Sequence, residues 1–225
     1  MKVSIVIPVF NAQDTIGVAV DSALAQKFGK KDFEVIVIND GSTDATLEIL
    51  EKYGKKITII SQKNKGAVTA ANRGFKKAKG KYLIKLDADD WFDARILEVM
   101  AGVLDKKENI DFVYSDYYEK SSEGKTRTIL TGNNIFNTGS VGIMFKAEKF
   151  KAEGFYRQDL KFSEYDLLLR TQKAWNGFHI QKALFCRNLH NDSLTGSKQW
   201  VREAMEELKR IHPQKLTEIK KIRKY

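Results

Sequence analysis

A single cysteine, Cys186, excludes an internal disulfide and is compatible with a reducing cytoplasm. No apolar run approaches the roughly 18 residues of a membrane span, so an integral membrane protein is not expected. The opening segment MKVSIVIPVFN has too short an apolar run, and no small-residue cleavage site, for a secretion signal. It reads instead as a first strand. No G-x-G-x-x-G follows that strand and no G-x-x-x-x-G-K-[ST] occurs anywhere, which weighs against dinucleotide oxidoreductases and P-loop enzymes. No cysteine–histidine cluster has zinc spacing. Repeats, low-complexity segments and long linkers are missing too, so the 225 residues are expected to share one core.

What is abundant is positive charge, with 39 Lys and Arg against 29 Asp and Glu and a net +10. Such a surplus raises nucleic acid, anionic lipid and phosphorylated substrates as partners. Lys63, Lys65, the stretch 76–81 and the C-terminus carry much of it, and a solvated lysine-rich surface accounts for most of these positions. The basic residues are not interleaved with aromatics in the manner of a nucleic-acid groove.

The pattern of elements says more. Residues 3–9 form a β-branched run suited to a buried parallel strand. A helix is expected from Asn11, with Asp14 in its first turn and Ile16, Val20, Ala23 and Leu24 on one face. A second strand over 33–38 leads into Asn39-Asp40-Gly41-Ser42-Thr43-Asp44, where Ser42 or Thr43 is expected to cap the next helix. A third strand over 57–60, a helix over 67–79 and a fourth strand over 82–86 follow, then a helix beginning near Asp93. Strand and helix alternating four times predict a doubly wound parallel sheet with helices on both faces. Ligands bind beyond the carboxyl ends of such strands, which places 9–11, Asp40, 63–66 and 87–90 along one crevice. The second half predicts a smaller mixed region: a hairpin over 112–130, a strand over 141–145, a helix over 163–176 stopped by Gly177, and a last strand over 178–186.

The fourth strand ends in Asp87, Asp89 and Asp90, with Asp93 just beyond. Carboxylates this close repel one another and are costly to desolvate unless a cation or donors compensate. Asp87 and Asp89 can share a hard divalent cation whose other ligands are phosphate oxygens. A plain helix cap by Asp89 or Asp90 is the competing reading.

Several segments, in order, resemble the family-2 glycosyltransferases of the GT-A fold: VSIVIPVFNAQDTI, VIVINDGSTDAT, NKGAVTAANRGFKKAKGKYLIKLDADDW, GFYRQDLKFSEYDLLLR and CRNLHNDSLTGS. The resemblance implies an inverting enzyme that moves a sugar from a nucleotide-diphosphate donor, commonly a UDP-sugar, to a hydroxyl of a glycan or lipid-linked saccharide. It implies Mn²⁺ or Mg²⁺ at Asp89, with Asp87 assisting. It places the nucleotide against Pro8, Val9, Phe10, Asn11, Asp40, Lys65, Asn72, Asp87 and Ala88. The diphosphate loop would contain Arg187, His190 and Ser193, and the sugar or acceptor would meet Asp90 and Trp91. In one respect the chain departs from the family, where Glu-Asp precedes the tyrosine; here Ser163-Glu164 precedes Tyr165. Alignment on Tyr165, Asp166, Leu167 and Arg170 puts Glu164 at the catalytic base, with Asp166 as its rival.

Residues 1–199 are thus expected to form one catalytic domain, with a nucleotide-binding half over 1–110 and an acceptor half over 111–199. Residues 200–225 form a basic amphipathic tail with eight basic and four acidic residues. Its stripes, Val201, Met205 and Leu208 and then Leu216, Ile219 and Ile222, suit either packing on the domain or peripheral contact with an anionic membrane on its cytoplasmic face. His179 and His212 are expected to be structural, and Phe75, Met100 and Phe150 core. The rivals from other classes are a sugar nucleotidyltransferase and a basic polyanion-binding module; no nucleic-acid partner is expected.

Overall fold

Strand β1 (Val3–Val9) is buried along its whole length, as a continuous β-branched run requires of a strand covered on both faces. The computed structural model describes residues 1–132, 134–137, 142–189, 197–215 and 217. Around β1 lie β2 (Phe33–Asn39), β3 (Thr58–Ser61) and β4 (Tyr82–Lys85), parallel and in the order β3-β2-β1-β4. The connecting helices are α1 (Ile16–Leu24), α2 (Thr46–Glu51) and α3 (Ala67–Lys77), and α4 (Ile96–Lys106) follows. This is the expected doubly wound half. The sheet then continues through β5 (Trp91–Phe92), β6 (Phe112–Lys120), β7 (Thr126–Ile129), β8 (Met144–Lys146) and β9 (Gly177–Asn188), in the overall order β3-β2-β1-β4-β8-β6-β9-β5 with β7 paired to β6. β8 is antiparallel to β4 and β6, whereas β6 and β9 are parallel. One sheet therefore runs through both halves of the chain.

The period of two along β1 separates two cores. Val3, Ile5, Ile7 and Val9 face a core that holds Ile16 and Val20 of α1 and Leu97 and Met100 of α4. Val6 faces a second core, with Phe75 of α3, Phe150 of α5 (Ala147–Ala152), Tyr165 and Leu168 of α6 (Ser163–Thr171), and Leu208 of α7 (Lys198–Ile211). Ser4 shares the second face and is fully buried; its hydroxyl donates to Glu34 at 2.6 Å and accepts from the Gly80 N–H at 2.8 Å. A Cβ at Gly80 would stand 2.5 Å from the Ser4 nitrogen, which is backbone and cannot step aside. Gly80→Ala is accordingly expected to cost about 1–3 kcal/mol, read as a lower urea midpoint at unchanged slope; an unchanged midpoint would mean that β1 and the β4 approach are not this tightly packed.

Several boundaries differ from the expectation, each for a local reason. α1 starts at Ile16, not Asn11, because Asn11 has φ 47° and cannot open a right-handed helix. α2 starts at Thr46; Ser42 and Thr43 are spent on Asn11, and Asp44 accepts from the Thr46 N–H at 3.0 Å. α6 stops at Thr171, and the chain turns so that buried Trp175 packs against Phe112 and Phe145. β8 begins at Met144, and β9 extends on to Asn188. Of the two apolar stripes in the tail, the first lies on the domain. Leu208 and Ala204 are buried, Val201 and Met205 pack on the second core, and Trp200 meets Phe162 edge-on at 5.2 Å. That stripe is not available to a membrane. Leu216, Ile219 and Ile222 lie outside the described residues.

Candidate active site

Two loops close the ends of β1 and β2 together. The Asn11 side chain accepts from the Thr43 N–H at 2.8 Å while its own N–H donates to Ser42 at 3.0 Å. The left-handed backbone of Asn11 permits this double tie, one that asparagine tolerates better than most residues. Pro8 and Val9 are buried beneath it, and Phe10 is 47% exposed at the rim. Asp40 is buried, and its carboxylate accepts from Gln62 Nε2 at 2.6 Å, the Lys65 N–H at 2.9 Å and the Gly66 N–H at 2.8 Å. It thereby fixes the loop after β3, holding it through the Lys65 and Gly66 backbone. Lys63 and Lys65 of this loop, with Arg73 and Lys76 of α3, help line a cleft of about 490 Å³. Asn72 lies in α3 beside that cleft, yet both ends of its amide bind the Tyr156 backbone, at 2.7 and 3.2 Å. Asn72 thereby clamps α3 to the segment around Tyr156 at the wall of the cleft.

The acid turn starts where β4 ends. Leu86 still donates to Val6 at 3.0 Å, then the Asp90 N–H bonds the Asp87 carbonyl at 3.2 Å and closes the turn over Ala88 and Asp89. Asp87, Ala88 and Asp89 are half-buried. Asp90 is buried, and its carboxylate accepts from the Asn188 N–H at 2.9 Å. It braces the turn against β9. Trp91 is half-buried in β5, paired with Cys186, and Lys120 stands 5.4 Å above its ring. Burial pushes the Cys186 thiol up to about 11, so it is inert.

Burial, together with the charges of Asp89 and Asp87, holds the Asp90 carboxyl well above the usual carboxylate range; the Asn188 N–H and Arg187 oppose this without cancelling it. Burial and the neighbouring carboxylates thus both disfavour a further negative charge in the turn, a repulsion that a cation at Asp87 and Asp89 would relieve. Among the described residues no three ligating side chains stand together as a full cage. Mg²⁺ and Mn²⁺ at phosphate sites need only one or two carboxylates, the rest of the shell being water and phosphate oxygen. Asp89, with or without Asp87, fits that requirement.

Glu164 sits at the start of α6 and points at this turn. Its Oε1 accepts from Lys85 Nζ at 2.6 Å, and the same ammonium is 3.1 Å from Asp87 Oδ1. Burial alone would lower the Lys85 pKa, but the Asp87 and Glu164 charges outweigh it and hold the ammonium well above its ordinary range. Lys85 is the member of this cluster that sequence reasoning passed over. Its signal was a lysine inside the apolar run YLIKL, since a buried lysine needs a charged partner. Asp166 belongs to a different environment. It is fully buried, with Oδ1 2.8 Å from His212 Nε2 and Oδ2 accepting from Arg170 Nε at 3.2 Å. Both of its oxygens are used to hold α7 and Arg170, so it is not placed to meet an acceptor. Arg187 lies on β9 opposite Glu119, 3.9 Å from that carboxylate, and adds positive charge next to Asp90. His190 and Ser193 lie outside the described residues.

Residues 4–166, which run from β1 to Asp166 and enclose the acid turn and Glu164, match the model of glycosyl transferase family 2. The chain belongs to that family. The family is one of glycosyltransferases, and the nucleotidyltransferase and polyanion-module readings are not favoured. It is 30% identical over 215 residues to a hyaluronan synthase of Pasteurella multocida, covering 89% of this chain but 22% of that protein. An uncharacterized glycosyltransferase of Rickettsia typhi is 29% identical over 212 residues, 87% of this chain and 66% of the relative. The family-2 chain thus spans less than two-thirds of the length of both. Its fold matches Staphylococcus aureus TarS residues 1–349 in complex with UDP-GlcNAc (TM-score 0.71, 24% identity, 93% of this chain and 67% of that one). It also matches a mannosyltransferase of Pyrobaculum calidifontis in complex with GDP-Man and Mn²⁺ (TM-score 0.69, 14% identity, 93% and 64%). These likenesses establish the GT-A architecture. Among the described residues no helix is long and apolar enough to cross a membrane.

Proposed function

We propose that this glycosyltransferase inverts the anomeric centre as it transfers a sugar from a nucleoside-diphosphate donor, a UDP-sugar in the first instance, to a hydroxyl of a glycan or lipid-linked saccharide. The observation that carries the reading is the meeting of Glu164 with the acid turn on one ammonium, Lys85, from elements 79 residues apart. Inversion needs one carboxylate to accept the proton of the attacking hydroxyl, on the face opposite the leaving group. Glu164 is the base: it lies in the first turn of α6, where the helix dipole favours the ionised form. Asp89, with Asp87, would hold Mn²⁺ or Mg²⁺, and that cation when bound supplies charge stabilisation for the departing diphosphate. Asp40 and the 62–66 loop are the base-and-ribose side of the crevice, and Arg187 the cationic side of the acid turn. Trp91 is the candidate surface for the sugar or acceptor. The nucleotide sugars bound by TarS and by the Pyrobaculum enzyme, and the Mn²⁺ of the latter, support the donor class and the metal.

The test is a thermal-shift screen of UDP, GDP and their sugars with and without Mn²⁺, because a ligand that binds only the folded state raises its apparent stability. The expected result is a nucleotide-dependent rise that needs the metal. In Asp89→Asn the metal-dependent part should vanish while the unliganded midpoint stays within a degree or two. A full, metal-dependent shift in that variant would remove Asp89 from the site, and release of pyrophosphate instead of nucleoside diphosphate would overturn the reaction class.

A further inference from the structure

Among the described residues, Lys85 is a largely buried cation to which the reaction as described gives no role. Lys85 is the last residue of β4, and the strand's alternation points it away from Tyr82 and Ile84 and toward α6. Its side chain is 14% exposed, and that of Glu164 is 17%. Nζ lies 2.6 Å from Glu164 and 3.1 Å from Asp87. The other Glu164 oxygen accepts from the Ser163 hydroxyl at 3.1 Å. Tyr156, buried next to Glu164 and Lys85, is raised by burial and by the Glu164 charge and stays a neutral phenol. So Glu164 is oriented by one fixed cation and one neighbouring hydroxyl.

We propose that Lys85 is a positioning residue that sets the base and the donor-side acid in register. One ammonium at the end of a central strand holds the Glu164 carboxylate toward the acceptor side and Asp87 toward the donor side. This rests on the reading of Glu164 as base and goes beyond it, in assigning the distance between the two carboxylates to a third residue. The rigidity has a physical source. The Lys85 backbone pairs with Val6 of β1, and β4 is hydrogen-bonded on its other side to β8, so the ammonium is carried on a strand held inside the sheet. A glutamate has three side-chain torsions to lose, and a charge-assisted bond to a fixed partner removes that freedom before the acceptor arrives. Lys85 also places positive charge against Asp87, so Asp89 is left as the main cation ligand. Removing Lys85 should therefore not weaken cation binding at the turn.

Crystal structures of Lys85→Met and Lys85→Arg test the assignment, with calorimetry of Mn²⁺·UDP and, for the donor and acceptor found active, transfer kinetics. In Lys85→Met the Glu164 carboxylate should leave its place at the turn, with kcat down by about 10²-fold, whereas Mn²⁺·UDP should bind as tightly as to the parent or more so. Lys85→Arg should restore the carboxylate position and part of kcat. Adding Lys85→Met to Glu164→Gln should lower the rate little further, because residues that act as a unit are not additive. Glu164 found in the same position in Lys85→Met overturns the proposal whatever the kinetics. So do a parallel fall in kcat and Mn²⁺·UDP affinity, and losses that multiply in the double variant. A normal rate in Glu164→Gln would instead overturn the base assignment on which the proposal rests. Should Lys85→Met not fold, Lys85→Gln is read against the same outcomes.

Discussion

Glu164→Gln is expected to lower sugar transfer by about 10²–10⁴-fold, the usual contribution of a positioned general base, with donor affinity unchanged. Glutamine keeps the shape of the side chain and can still sit near Lys85, so the fold should hold. What it cannot do is accept the proton of the attacking hydroxyl. The loss should therefore appear in kcat and kcat/KM alike, with the KM for the donor nearly constant, the pattern of an interaction made in the transition state. Donor binding, followed by calorimetry with Mn²⁺, should match the parent protein because the acid turn and Asp40 are untouched. A rate within a few-fold of the parent would mean that the proton goes elsewhere.

Asp166→Ala should give the opposite profile, a large loss of stability with activity per folded molecule largely retained. Two residues after Glu164, Asp166 points about 200° around the helix axis, and accordingly meets α7 instead of the crevice. Removing its carboxylate leaves His212 without its partner and takes one bond from Arg170, which keeps its contacts with Glu153 and Phe155. Breaking a buried pair in this way costs about 3–5 kcal/mol. Because His212 is also the residue that ends α7, the C-terminal helix should become protease-sensitive first. Denaturant midpoints and limited proteolysis read both effects. A collapsed rate with an unchanged midpoint would make Asp166 the base and reverse the two assignments.

How much of this the sequence revealed depends on the range of the interactions concerned. The four parallel strands and their helices were legible because β-branched runs and helical periodicity are local signals. The acid turn was legible as a conflict, carboxylates at the end of a buried strand. Helix starts were misplaced where a side chain bonded across to another loop, as Asn11 does to Ser42 and Thr43. Lys85 was passed over because its meaning depends on Glu164, far along the chain. Asp166 stood as a rival to Glu164 because adjacency in sequence says nothing about which side of a helix faces the crevice. Asp90, next to two site acids, turned out to be bonded to β9.

That last bond also bears on how the protein comes to exist. Asp90 and Asn188 are 98 residues apart, and among the described residues β5 pairs with the sheet through β9 alone. On a ribosome the strands that carry the nucleotide side emerge early, but the turn with the acids has no edge to close against until almost the whole domain has been made. The nascent chain would thus hold its nucleotide-side loops well before it holds a finished acid turn.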